Sequence, residues 1–168
     1  KNGDLLSKMY VEHQVTIGNV QTEIVHYGHN FLKEVELEIG DQTIDKHYSQ
    51  WLQIWNELTE PYYKQPHLRN GYMRMVSDYP VTAAESTTRK IYVPLQFWFC
   101  RNAGLALPLI ALQFHVVKLT FVFQTAANCT NRSGTFGGTS LWVDYIFLDT
   151  DERRKFAETA HEYLIEQL

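Results

Sequence analysis

Between Met9 and Ile17 the apolar residues Met9, Val11, Val15 and Ile17 occupy odd positions, and Lys8, Glu12, Gln14 and Thr16 fill the even ones. That two-residue period predicts a half-buried strand, with His13 on its apolar side. Phe31 to Ile39 repeats it, with Val35, Leu37 and Ile39 on one face and Glu34, Glu36 and Glu38 on the other. After a turn at Gly40-Asp41 the period lengthens. Trp51, Leu52, Ile54, Trp55 and Leu58 recur at helical spacing, with Asp45 as a candidate N-cap and Pro61 just past the end, which predicts a short inserted helix. From Glu60 to Lys90 the composition is that of a long loop, with Pro61, Pro66, Gly71, Pro80 and a Ser/Thr cluster.

Alternation resumes through Ile91, Val93, Leu95, Phe97 and Phe99, then Leu105 to Phe114, then Val117, Leu119, Phe121 and Phe123. Pro94 and Pro108 point to edges or bulges there. Asn128 to Ser140 reads as a loop, followed by a strand through Leu141, Val143, Tyr145 and Phe147. Beyond it Thr150 caps an expected helix, with Asp151 and Glu152 in the first turn and Phe156, Ala160, Tyr163, Leu164 and Leu168 along one stripe. About six strands with one inserted helix and a C-terminal helix predict an all-β, antiparallel sandwich of the jelly-roll kind.

Composition narrows what such a sandwich does. The 168 residues carry a net charge of -4, so a basic surface for direct nucleic-acid contact is not expected. The two cysteines, Cys100 and Cys129, lie far apart without CxxC spacing and read as packed thiols. No apolar run approaches the ~20 residues that span a bilayer. The start without Met and an end inside a helical pattern both point to part of a longer chain.

Catalytic or metal chemistry finds little support in the residue pattern. His26-Tyr27-Gly28-His29 with Glu23 is the best histidine cluster, but Gly28 favours a turn, no third ligand is evident and the HxH pair of cupins is absent. Gly134 to Ser140 is glycine-rich but lacks the Lys of a phosphate loop and precedes a strand, so a flexible turn is expected. Asp149, Asp151 and Glu152 are accounted for by helix capping. Asn128-Cys129-Thr130 and Asn131-Arg132-Ser133 fit the glycan acceptor pattern, a pattern common by chance and here without a secretory signal. No catalytic residue, metal ligand or cofactor is assigned. Trp51, Trp55, Trp98 and Trp142 are read as core or subunit contacts.

Several longer stretches carry a family resemblance. They are Tyr92 to Asn102 (YVPLQFWFCRN), Gly104 to Gln113 (GLALPLIALQ), Leu141 to Arg154 (LWVDYIFLDTDERR), His161 to Leu168 (HEYLIEQL), Asp45 to Tyr48 with Trp51 to Leu58, and Asn2 to Leu5. Together they resemble the major capsid protein of the large nucleocytoplasmic DNA viruses, which include iridoviruses, phycodnaviruses and the mimivirus-like giant viruses. Departures are small: Ala103 stands where a Pro is expected and Asp41 where a second Gly is common.

The resemblance implies a protein of two consecutive jelly rolls, three copies of which form a pseudo-hexagonal capsomer of an icosahedral shell. Residues 1–150 would be most of the first jelly roll and 151–168 a helical linker toward a second. The implied partners are other copies of the chain, neighbouring capsomers and minor capsid proteins, with an internal membrane met only indirectly. The implied location is the virion, assembled in the host cytoplasm. Trp51, Trp55, Trp98, Asp149, Arg153 and Arg154 would support packing or interfaces. A carbohydrate-binding jelly-roll module is the alternative reading, and a cupin-like metalloenzyme a third.

Overall fold

A computed structural model describes residues 3–17, 27–59, 72–76, 87–129 and 134–168. Two antiparallel sheets face each other. The first is centred on β1 (Leu5–Ile17), which pairs along one edge with β4 (Thr87–Pro94) and the two-residue β5 (Leu107–Pro108), and along the other with β7 (Gly134–Ile146). The second has the order β3–β2–β6, formed by Gln42–Tyr48, Leu32–Ile39 and Val117–Phe123. Short helices connect them: α1 (Tyr27–Phe31), α2 (Ser49–Thr59), α3 (Tyr72–Val76), α4 (Trp98–Arg101), α5 (Ala126–Cys129) and α6 (Thr150–Glu158).

The alternation read from sequence is the alternation of burial. Met9, Val11, His13 and Val15 point inward from β1, and Leu32, Val35 and Leu37 face them from β2. The outward Glu34, Glu36 and Glu38 are charge-compensated across the sheet by Lys46 and Lys118. Gly40 and Asp41 both adopt positive φ, at 59° and 62°. Two such residues make the two-residue hairpin turn whose twist suits flanking strands. An Asp tolerates that conformation, which explains how Asp41 replaces a second glycine.

Four expectations are corrected. Asp45 is not a helix cap: it lies within β3, a strand whose buried positions are Asp45 and His47. With polar residues inward, the apolar period that marks a strand is missing there. Phe97 and Phe99 do not extend β4, because the chain turns into α4 and buries both rings. Leu105 to Phe114 is a 3-10 turn (Ala103–Leu105), then β5, then turns. Finally, Gly134 to Ser140 is strand, paired with β1 from Glu12 to Ile17 through a bulge, so its extended form comes from backbone pairing and not from side-chain pattern.

The C-terminal segment also departs from the expected long helix. The cap of α6 is Asp149, one residue before Thr150, in a full capping box: its carboxylate accepts from the Glu152 N–H at 2.8 Å while the Glu152 side chain accepts from the Asp149 N–H. The helix ends at Glu158. Residues 160–168 run on without regular structure, and Leu164, expected on the buried stripe, is 91% exposed.

His13 is fully buried between the sheets, stacked on Phe31 at 3.8 Å and edge-on to Phe136 at 4.9 Å. Its Nδ1 lies 3.0 Å from the Thr139 hydroxyl. Burial pushes its pKa down from 6.5 to about 4. The folded state therefore resists a proton that the unfolded chain accepts, so the stability tied to neutral His13 is complete above pH 6.5 and is lost as pH falls toward 4. We expect a loss of about 3 kcal/mol over that window. Denaturant unfolding at several pH values checks this: His13→Leu should flatten the profile between pH 6.5 and 4, and an unchanged profile would refute the assignment.

Candidate assembly surface

The sandwich is unevenly closed. Inward-facing residues on β1, β2 and β4, such as Val15, Leu37 and Val93, are fully buried. On β6 and β7 the register places Phe123 opposite Leu32 and Leu141 opposite Val11, facing the core, yet they remain 41% and 40% exposed. Trp142, on the outer face of β7, is 59% exposed and donates its indole N–H to Glu12 at 3.1 Å. Lys90 and Tyr92 also bond Glu12 and hold its carboxyl below the usual range. The edge strands β6 and β7 thus leave apolar side chains exposed, and Trp142 stands beside a fixed polar network.

A second apolar feature stands at the end of the sandwich near the Gly40-Asp41 turn. Phe114 is 95% and Val116 70% exposed, on the segment that bonds back to the hairpin through the Val116 carbonyl and the Gly40 N–H. A Cβ on Gly40 would lie 2.6 Å from the His115 ring, so glycine lets this segment settle on the turn. On α2, Ile54 and Leu58 are exposed, while Leu52 and Asn56 face inward one turn apart.

The tryptophans read from sequence take distinct places. Trp98 is buried, edge-on to Phe99 at 5.0 Å. Trp51 and Trp55, half-buried on α2, contact each other at 5.5 Å. The Arg101 guanidinium sits 4.0 Å over the Trp55 ring and donates from Nε to the Gln96 carbonyl at 2.9 Å. Cys100, half-buried beside them on α4, has its thiol pushed up to about 12 by desolvation, and the buried Cys129 is pushed up to about 11 by the same cause. Desolvation keeps both thiols protonated.

Asp149 caps α6, and Arg153 reaches from the first turns of that helix to Asp4, with Nε and Nη2 each 2.9 Å from one carboxylate oxygen. The Leu148 N–H donates to the same oxygen and, with Arg153, holds the Asp4 carboxyl below its usual range. This joins the start of β1 to the chain leaving β7. Arg154 is exposed and forms no ion pair among the described residues. The sequence reading grouped Arg153 with Arg154, whereas the geometry gives only Arg153 a partner.

The histidine cluster resolves differently. Gly28 and His29 lie in helix α1, and the buried His29 ring has Gln53 Oε1 at 2.9 Å and the Tyr72 hydroxyl at 2.7 Å on its two nitrogens. Both are committed to structural contacts. Glu23 and His26 fall outside the described residues, as do Asn131 and the third residue of the first acceptor triplet. Asn128 is exposed on α5, with its side-chain amide 3.2 Å from Gln124 Oε1.

Two sheets related in this way, with the short connecting helices, make a jelly-roll sandwich. A family model described as the major capsid protein N-terminus matches residues 1–149, and the chain belongs to that family. Its relatives include the major capsid protein of Pyramimonas orientalis virus, 48% identical over the whole of this chain and 43% of that protein. The major capsid protein of Paramecium bursaria Chlorella virus 1 is 42% identical over the whole chain and 39% of its own length. Among solved structures, a chain in the quasi-atomic model of the PBCV-1 virus capsid superposes with a TM-score of 0.81 at 40% identity, covering 99% of this chain and 41% of that one. The chain thus spans less than half the length of the relatives it matches.

Two substitutions check the packing roles. Trp55→Ala removes both the ring under Arg101 and the contact with Trp51, and is expected to cost about 2 kcal/mol in denaturant unfolding. Asp149→Ala removes the cap and is expected to cost about 1 kcal/mol, with Arg154→Ala neutral in the same measurement.

Proposed function

We propose that this chain is part of a shell-building protein of an icosahedral virus, without catalytic activity, that acts by contact with copies of itself. The observation that carries the reading is the likeness, over nearly the whole chain, to a subunit of an assembled capsid. In this reading residues 1–150 form most of a first jelly roll and 151–168 lead toward a second. Three complete proteins make a pseudo-hexagonal capsomer. Neighbouring capsomers and minor capsid proteins are the further partners, an internal membrane is met only indirectly, and assembly takes place in the host cytoplasm.

Physical support comes from the uneven surface. A shell protein needs self-complementary apolar patches with polar rims, and the work is spread over many residues. The half-open β6 and β7 flank suits cover by further strands of the complete protein. Phe114 and Val116, which contribute almost nothing to burial within the chain, suit contact with a neighbour.

The complete protein, purified and examined by analytical ultracentrifugation and electron microscopy, is expected to form trimers. Phe114→Ser should lower the yield of trimers or of larger assemblies while the stability of the subunit stays within about 0.5 kcal/mol. A persistent monomer that binds sugars on a glycan array would replace this reading with the carbohydrate-binding one.

A further inference from the structure

We infer that the cleft between the start of β1 and the last turns of α2 is a docking site for an acidic segment of a partner protein, a carboxylate side chain flanked by apolar ones. Its volume is about 350 Å³, at the low end for a binding pocket, which suits a side chain or two better than a large cofactor. β1, α2 and the chain leading from β4 into α4 supply the walls. The floor is Met9 and Leu95, both buried. The Leu95 N–H donates to the Met9 carbonyl at 3.0 Å, which ties β1 to the chain leaving β4 beneath the cleft.

Charge selects the occupant. Lys8 and Arg101 line the cleft and no lining residue is acidic, although the chain as a whole carries -4. Lys8 and Tyr10 stand two apart on β1 and share the outer face of that strand. Lys46, Lys90 and Lys118 are each paired with a glutamate of a neighbouring strand. Lys8, by contrast, is exposed and has no ion-pair partner among the described residues. Arg101 is held from three directions: Nε donates to the Gln96 carbonyl at 2.9 Å, the guanidinium lies 4.0 Å over the Trp55 ring, and Nη1 pairs with Glu166 at 2.7 Å. Its Nη2 has no partner among the described residues. Glu166 offsets part of the Arg101 charge, so Lys8 is the principal cation and Arg101 a fixed donor beside it.

The other wall is apolar, with the half-buried Trp55 ring across from Pro94. Carbonyls at the end of α2 would repel an anion, and the Thr59 hydroxyl answers one of them by donating to the Trp55 carbonyl at 2.7 Å. One exposed lysine gives a free carboxylate little in water. Apolar groups beside that carboxylate gain by leaving water against Trp55 and Pro94, so charge and burial act together only on a ligand that carries both. An inorganic anion lacks the apolar part. A nucleic acid needs a row of cations for its phosphates, which this negatively charged chain does not offer here. A peptide with an acidic residue between apolar ones supplies both parts.

Fluorescence anisotropy on the complete protein tests this with a rhodamine-tagged hexapeptide that alternates glutamate and leucine. The peptide is expected to bind with a Kd of about 1 mM or tighter. Its counterpart with glutamine in place of glutamate should bind about tenfold more weakly. Lys8→Gln should weaken the acidic peptide by about threefold and Lys8→Glu by about tenfold, while Lys8→Arg stays within about twofold of the parent. The unfolding midpoint by circular dichroism should not move in any of them, because Lys8 is exposed and unpaired. High salt should weaken the acidic peptide alone. No binding of the acidic peptide, equal binding of the glutamine form, or indifference to both Lys8→Gln and Lys8→Glu would overturn the site. Displacement of the peptide by an equal concentration of inorganic phosphate would also overturn it, by reassigning the cleft to small anions. None of these readings requires shell assembly, so failure here leaves the shell-building proposal standing.

Discussion

Everything in this structure leans on the contact between the inward face of β1 and the inward face of β2. Among the described residues β1 is the one strand of its sheet bonded on both edges, to β4 and β5 on one side and to β7 on the other. Its buried row of Met9, Val11, His13 and Val15 can meet Leu32, Val35 and Leu37 only in one register, because a slip of one residue would turn Glu12 and Gln14 into the core. A histidine in that row is the exception that proves costly at low pH. Stacked on Phe31 and bonded to Thr139, it links the two sheets and β7 at one point while remaining neutral.

Where side-chain pattern and burial coincide, the fold was legible beforehand. β1, β2, β6 and the second half of β7 alternate as written, whereas α2 is a helix as expected but leaves Ile54 and Leu58 of its apolar stripe exposed. The failures share a physical cause, which is structure stabilised by something other than an apolar period. β3 buries Asp45 and His47, and so hides its inward face from a hydrophobicity reading. Gly134 to Ser140 is extended because β1 offers it a free edge. At Phe97 and Phe99 an all-apolar run is buried whether it is strand or helix, so its period cannot decide between them. The helix after Asp149 stops at Glu158 with no Gly or Pro to announce it.

The candidate surface was legible in kind but less so in place. Tryptophans at positions 51, 55 and 98 were read as packing residues, and each is found in a ring contact. The family resemblance rested on the runs around Tyr92 to Asn102 and Leu141 to Arg154, and these are the segments that turn into α4 and lead from β7 into α6. In these runs Arg101 reaches the Trp55 ring and Arg153 reaches Asp4. Phe114 and Val116 had no signal of their own, because alternation within Leu105 to Phe114 suggested a buried strand where the chain forms exposed turns.

Arg101 shows how one residue can bind three parts of the chain at once. Its Nε and its stacked face are spent on Gln96 and Trp55, contacts internal to the body, and a separate nitrogen, Nη1, holds Glu166. A guanidinium can divide its donors in this way because they are fixed in a plane, whereas an ammonium at the same place would have to choose.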